Sequence, residues 1–245
     1  MTWVEAGLRP VYPIKSVLKI LIFLGCAGLY VLLCGDKAPL RALRPPRRRT
    51  LLTALALAVA VFAVILGGSA LLAPWLDLST VTGNLGAKEG VTAATFPFVA
   101  SYISLGNSFL EEFFFRGFAF LALRAAGRPQ LAWIFSALAF ALYHVAIMAG
   151  WFRPELVLLL TAALAAAGLL FNWLDREGSL WPAWLVHMGA NLAINTIGLR
   201  LFGIISRQPM AYSCLWQAPG RHEIPNSRFF SPFVFTKGEF WCMIV

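Results

Sequence analysis

Charge is what this sequence has least of. Lys, Arg, Asp and Glu together make up 13% of the 245 residues, against 60% apolar. A soluble globular chain carries about 25% charged residues. So little charge cannot keep a surface in water, which excludes a soluble domain and a disordered chain and leaves a polytopic membrane protein. Cysteine is scarce too: Cys26, Cys34, Cys214 and Cys242 form no CxxC and no framework spacing, which excludes a disulfide-stapled secreted scaffold. Cys26 and Cys34 sit in an apolar run, where a thiol acts as a small hydrophobe. HExxH is absent, so no single helix offers two His zinc ligands at that spacing. There is no internal repeat, only Ala/Leu bias within the apolar runs.

The formal charge is nonetheless +9. Much of the excess crowds into one segment, Lys37, Arg41, Arg44, Arg47, Arg48 and Arg49, between two long apolar runs. Short basic loops stay on the cytoplasmic side of a membrane and set orientation. No aromatic residue is interleaved there, as a single-strand binder needs, so no nucleic-acid partner is expected. The membrane lipid is the expected surroundings, and a bacterial plasma membrane the expected location.

A bilayer core takes about 20 apolar residues per helix. Six runs qualify: 16–34, 51–76, 95–123, 129–150, 155–174 and 180–204. The expected fold is therefore all-α, a polytopic bundle of about six transmembrane helices. Lys15 and Lys19 stand at the head of the first run, but the stronger cluster follows it, which predicts a retained anchor with its N-terminus outside. Loops 36–50, 124–129 and 175–179 then fall inside. Three regions follow: an N-terminal helix pair with a basic loop (1–94), a helical core (95–204) and a loosely ordered tail (205–245). Trp151, Trp173, Trp181 and Trp184 fall near run ends, where indoles prefer the headgroup level.

Ionisable groups inside a membrane span are costly and mark function by default. Three clusters stand out. The first is NSFLEEFFFRGFAF, with Glu111, Glu112 and Arg116. Glu112 and Arg116 lie four apart and stack on one helix face, whereas Glu111 projects to a neighbouring face with no local partner. A carboxylate isolated in low dielectric is a stronger base than one in water. The second is FALYHVAIM, with Phe140 and His144, and the third LVHMGANLAIN, with His187 and Asn191 four apart. Each cluster alone is compatible with interhelical glue. Together they put two His and two carboxylates on three helices, which a bundle can gather in its core.

The order EEFFFR at 111–116, FALYH at 140–144 and HMGAN at 187–191 resembles the CAAX-protease and bacteriocin-processing family of intramembrane proteases, whose best-known members are the type II CAAX prenyl endopeptidases. The resemblance covers roughly residues 95–204, less than half of the chain. It implies that Glu111 and His144 activate water, that His187 and Asn191 stabilise the oxyanion, and that Glu112 and Arg116 support them. It implies a peptide or protein substrate at the membrane, prenylated or not, and leans towards a mechanism without metal. Glu111, His144 and His187 are also a conceivable His₂Glu zinc set. A proton- or ion-coupled transporter is the rival from another class, weakened by the lack of repeat halves. A non-catalytic immunity or peptide-binding protein is the third reading, and it has no need of complete water-activating motifs. The chain ends Cys242-Met243-Ile244-Val245, which reads as a chance apolar terminus, because six crossings from an outside N-terminus place it away from cytosolic prenyltransferases.

Overall fold

The structure, a computed structural model, describes residues 12–72, 86, 90–148 and 154–205. The tail expected at 205–245, most of the loop at 77–94, Trp151, Cys214 and Cys242 lie outside the described residues. Among the described residues all regular structure is helical. Helix α1 is Tyr12–Cys34, α2 is the short Ala38–Arg41 and α3 is Arg48–Leu72. A continuous rod, α4 (96–125), follows, then α5 (Pro129–Met148), α6 (Pro154–Leu174), a 3₁₀ turn Asp175–Glu177 and α7 (Trp181–Leu201). Each of the six expected apolar runs is thus mainly helical over its described residues. Three segments, Tyr12–Cys34, Arg48–Leu71 and Val157–Glu177, are long and apolar enough to cross a membrane. The protein is an integral membrane protein, and among the described residues three helices meet that criterion, against the six crossings expected.

Local chemistry sets the helix limits. Pro129 and Pro154 open α5 and α6, and Pro97 and Pro182 occupy the second positions of α4 and α7. In the first turn a missing N–H costs nothing and the fixed φ suits a helix. Gly35 (φ 66°) and Gly127 (φ 77°) end α1 and α4 in the left-handed region that a side chain resists.

The rod α4 departs from regularity in a way that serves the interior. Its α-helical turns Phe96–Ser101, Ser108–Glu112 and Leu121–Ala125 alternate with π-helical stretches Tyr102–Asn107 and Phe113–Phe120. Each π turn inserts an extra residue per turn and re-aims the side chains beyond it, a device common at functional sites. The two carboxylates lie between the two stretches.

Small residues bring the helices together, as membrane packing requires. A Cβ on Gly189 of α7 would come within 2.9 Å of the Ala58 carbonyl oxygen of α3, and one on Gly168 of α6 within 2.9 Å of the Ala137 Cα of α5. Beneath the polar groups, Phe23, Phe115, Phe140, Phe171 and Leu174 form the main apolar core. On α1 only Lys19, Phe23 and Ala27 are buried, four apart on one face. Phe23 stacks on Phe114 at 4.2 Å. Lys19, expected as a flank of the first run, is therefore an interior residue, because the helix starts at Tyr12.

The loops expected on one side of the membrane are joined to one another. The carbonyls of Ala42 and Arg44 accept hydrogen bonds from the Leu180 N–H and the Ser179 hydroxyl. Thr50 donates to Glu177 at 3.0 Å, and Arg124 donates to the Arg176 carbonyl at 2.6 Å. Asp36 shapes the basic loop. Partial burial pushes its carboxyl up, but the Tyr30 hydroxyl, the Ala38 N–H and Arg41 outweigh that and hold it below the usual carboxylate range. Trp181 and Trp184, expected at the headgroup level, also bond within the protein. Their indole N–H groups donate to the carbonyls of Leu43 (2.9 Å) and Leu105 (3.2 Å).

Candidate active site

The three motifs meet in the bundle interior. Glu111, Glu112, Arg116, His144, His187 and Asn191 are all buried. Glu112 and Arg116 form the expected pair, Nε to Oε2 at 3.2 Å and Nη1 donating to Oε1 at 3.3 Å, with both side chains wholly buried. Arg116 also donates to the Gly168 carbonyl at 3.4 Å. Its guanidinium lies over Phe140 at 4.3 Å and Phe171 at 4.9 Å, so the cation has aromatic faces as well as a counter-charge.

Each histidine ring is set by its Nδ1. In His144 this nitrogen lies 2.8 Å from the Phe140 carbonyl oxygen, one turn back on α5. In His187 it lies 2.7 Å from Glu112 Oε1. A carbonyl only accepts, and so does an ionised carboxylate, so Nδ1 carries the proton in both rings. Both rings therefore present Nε2 to the centre. Glu111 Oε2 lies 3.7 Å from His144 Nε2 and 3.8 Å from His187 Nε2, and has no hydrogen-bond partner among the described residues. Phe171 stacks on the His187 ring at 5.5 Å. Phe140 thus serves three groups: its carbonyl orients His144, and its ring covers Arg116 and meets the edge of His187.

Two expectations change. Glu111 does have a counter-charge. Lys19 of α1 places its ammonium 2.5 Å from Glu111 Oε1 and 2.6 Å from the Asn107 amide oxygen. Asn107, one turn before Glu111, donates to the same oxygen at 3.0 Å. The case for an isolated carboxylate falls with this. Asn107 was legible as part of the NSFLEE cluster at helical spacing from Glu111; Lys19 was not. Second, Asn191 is not wholly free to serve an oxyanion. Its amide donates to the Ile103 carbonyl at 3.2 Å, leaving one N–H, while its buried Oδ1 has no partner. Asn195, one turn on, binds the Ala100 carbonyl at 3.2 Å and the Ser104 hydroxyl at 2.9 Å. These amides dock α7 on the first π stretch of α4.

Zinc is the alternative that the Glu111, His144 and His187 side chains raise. It needs its ligands about 2.0–2.2 Å from one point. Among the described residues no three His, Cys, Asp or Glu side chains form such a group. The Lys19 ammonium on Glu111 would also repel a divalent cation.

Comparison with known proteins names the arrangement. Residues 93–193 match the family Rce1-like, type II CAAX prenyl endopeptidase Rce1-like. The match takes in the three motifs and less than half of the chain, and it bears out the resemblance read from those motifs. It leaves out α1, which carries Lys19, and α3. No curated protein and no solved structure matches the chain. The Rce1-like family is a protease family, which supports protease activity at this site.

Proposed function

We propose that this chain is an intramembrane endopeptidase that hydrolyses a peptide bond of a membrane-associated substrate with water activated by Glu111 and His144, without a metal. The observation that carries the reading is the Glu111 Oε2 atom, buried, without a hydrogen-bond partner, and nearly equidistant from two imidazole Nε2 atoms. Separations of 3.7 and 3.8 Å are too long for direct hydrogen bonds and suit a bridging water.

Held there, the water donates one hydrogen to Glu111 Oε2 and the other to the lone pair of His144 Nε2. As its oxygen bonds to the scissile carbonyl carbon, one proton passes to Glu111, and the carbonyl π electrons move to oxygen. That proton then goes to the amine nitrogen, directly or through His144, as the C–N bond breaks. The products are a carboxylic acid and an amine, and Glu111 is a carboxylate again. The remaining Asn191 N–H is one donor to the oxyanion. His187, whose ring Glu112 orients through Nδ1, is the second. Such a donor is worth about 10²–10³ in rate.

The test is a cleavage assay in detergent with membrane-associated peptides, one carrying a prenylated Cys. Wild type is expected to cleave, and the folded fraction of Glu111→Gln not to. Chelation followed by zinc readdition should leave the wild-type rate unchanged. Binding without cleavage by the wild type would favour a non-catalytic peptide-binding protein, and zinc-dependent activity would replace the mechanism.

A further inference from the structure

Resting on that reading, we propose that Lys19, on a helix outside the matched segment, is a positioning residue that selects which oxygen of Glu111 meets the water.

Lys19 lies seven residues into α1 and is buried to 6% exposure. At 1.5 Å per residue that is roughly 10 Å inside the helix end, too deep for a lipid-facing lysine to be expected without a partner. Its three N–H donors have three destinations: Glu111 Oε1, the Asn107 amide oxygen and the face of Tyr143, whose centroid is 4.8 Å away. Asn107 closes the triangle by donating to the same Oε1. One oxygen of Glu111 is therefore tied twice and the other not at all, and the untied one faces both histidines. A carboxylate in a helix otherwise turns about its terminal torsion, which is broad and two-fold. The Lys19–Asn107 clamp removes that freedom. Lys19 touches neither the water nor the scissile bond, and acts through Glu111.

Its removal should show in turnover rather than in substrate affinity. In monodisperse protein, Lys19→Met keeps the apolar stem without the charge and should lower kcat about 10²-fold with KM unchanged, the order expected when a reacting group is misplaced by about an ångström. Lys19→Arg keeps the charge, but its fork cannot reproduce a point donor in the same place, so its kcat should lie between the two. Should Lys19→Met fail to fold, Lys19→Arg decides, with a loss of at least about 10-fold in kcat expected. Wild-type kcat per folded molecule in either variant, or a change confined to KM, overturns the proposal. The comparison includes wild type and Glu111→Gln. If wild type cleaves, Glu111→Gln does not, and Lys19→Met does, this inference fails alone. If wild type does not cleave, the functional reading fails and takes the inference with it.

Discussion

Replacing Glu112 by Gln separates the two adjacent carboxylates most sharply. Glu112 is wholly buried and serves two partners, the Arg116 cation at 3.2–3.3 Å and the His187 Nδ1–H at 2.7 Å. The amide keeps an oxygen for His187 but leaves the Arg116 guanidinium without its counter-charge. Breaking a buried pair from one side costs about 3–5 kcal/mol. For a chain of this size that corresponds to a fall in Tm of about 6–20 °C. Adding Arg116→Gln removes the stranded charge and should return part of that loss. It cannot return all of it, since Arg116 also donates to the Gly168 carbonyl and covers Phe140 and Phe171. The rate should not return with the stability, because His187 still lacks an anionic partner. Glu111→Gln strands a cation too, the Lys19 ammonium, so it should also lose stability, but it leaves the Glu112, Arg116 and His187 set intact and should be inactive in whatever protein folds. The assay is intrinsic Trp fluorescence on heating beside single-turnover cleavage, for all three variants in one detergent. An unchanged Tm in Glu112→Gln refutes the energetic argument, and full activity in the double variant refutes the link to His187. A folded, inactive Glu112→Gln beside an active Glu111→Gln puts the base on the wrong carboxylate.

Asn191→Ala should lower kcat about 10²–10³-fold with little change in KM. Its Tm should fall only by the equivalent of one hydrogen bond, about 1 kcal/mol; a large fall in Tm with normal turnover would make Asn191 structural. Gly189→Ala drives a Cβ against the Ala58 carbonyl oxygen and should cost about 1–3 kcal/mol. Gly25→Ala meets nothing within 4 Å and is the control that should not lose stability in the same thermal scan. The basic loop should be cytoplasmic. The labelling probe is Pro45→Cys, at an exposed position of that loop. With the native cysteines replaced by Ala, ready modification from outside intact cells would reverse the topology.

Much of the site was legible because its parts obey local spacing. Glu112 and Arg116 meet four residues apart on one helix, and the His144 ring is oriented by a carbonyl one turn back on its own helix. Such contacts follow from helix geometry before any tertiary structure is known. The apolar runs were equally legible, and each is mainly helical over its described residues. Whether each crosses the bilayer was not legible, because the motif-bearing helices place polar groups in what length alone reads as a span. The π stretches of α4 escaped notice for another reason. Runs such as YISLGN and FFFRGFAF suit an α-helix residue by residue. Their altered winding can be traced only with neighbouring elements in place, among them the Asn191 and Asn195 amides on carbonyls of that region.

Lys19 shows where a sequence reading of a membrane protein stops. In a soluble helix the buried face announces itself by contrast with a polar one. In α1 the contrast is inverted: the outward residues Leu21, Leu24, Leu29, Leu32 and Leu33 are apolar, and the inward stripe of Lys19, Phe23 and Ala27 contains the charge. With apolar side chains on every face, period carries no signal, and a lysine near a run end reads as a flank. Its depth could have spoken against that, since the helix begins at Tyr12 and not at residue 16. The cost of burying an ammonium in hydrocarbon then demands an anion. The carboxylate that had no local partner, Glu111, was the one left to meet it.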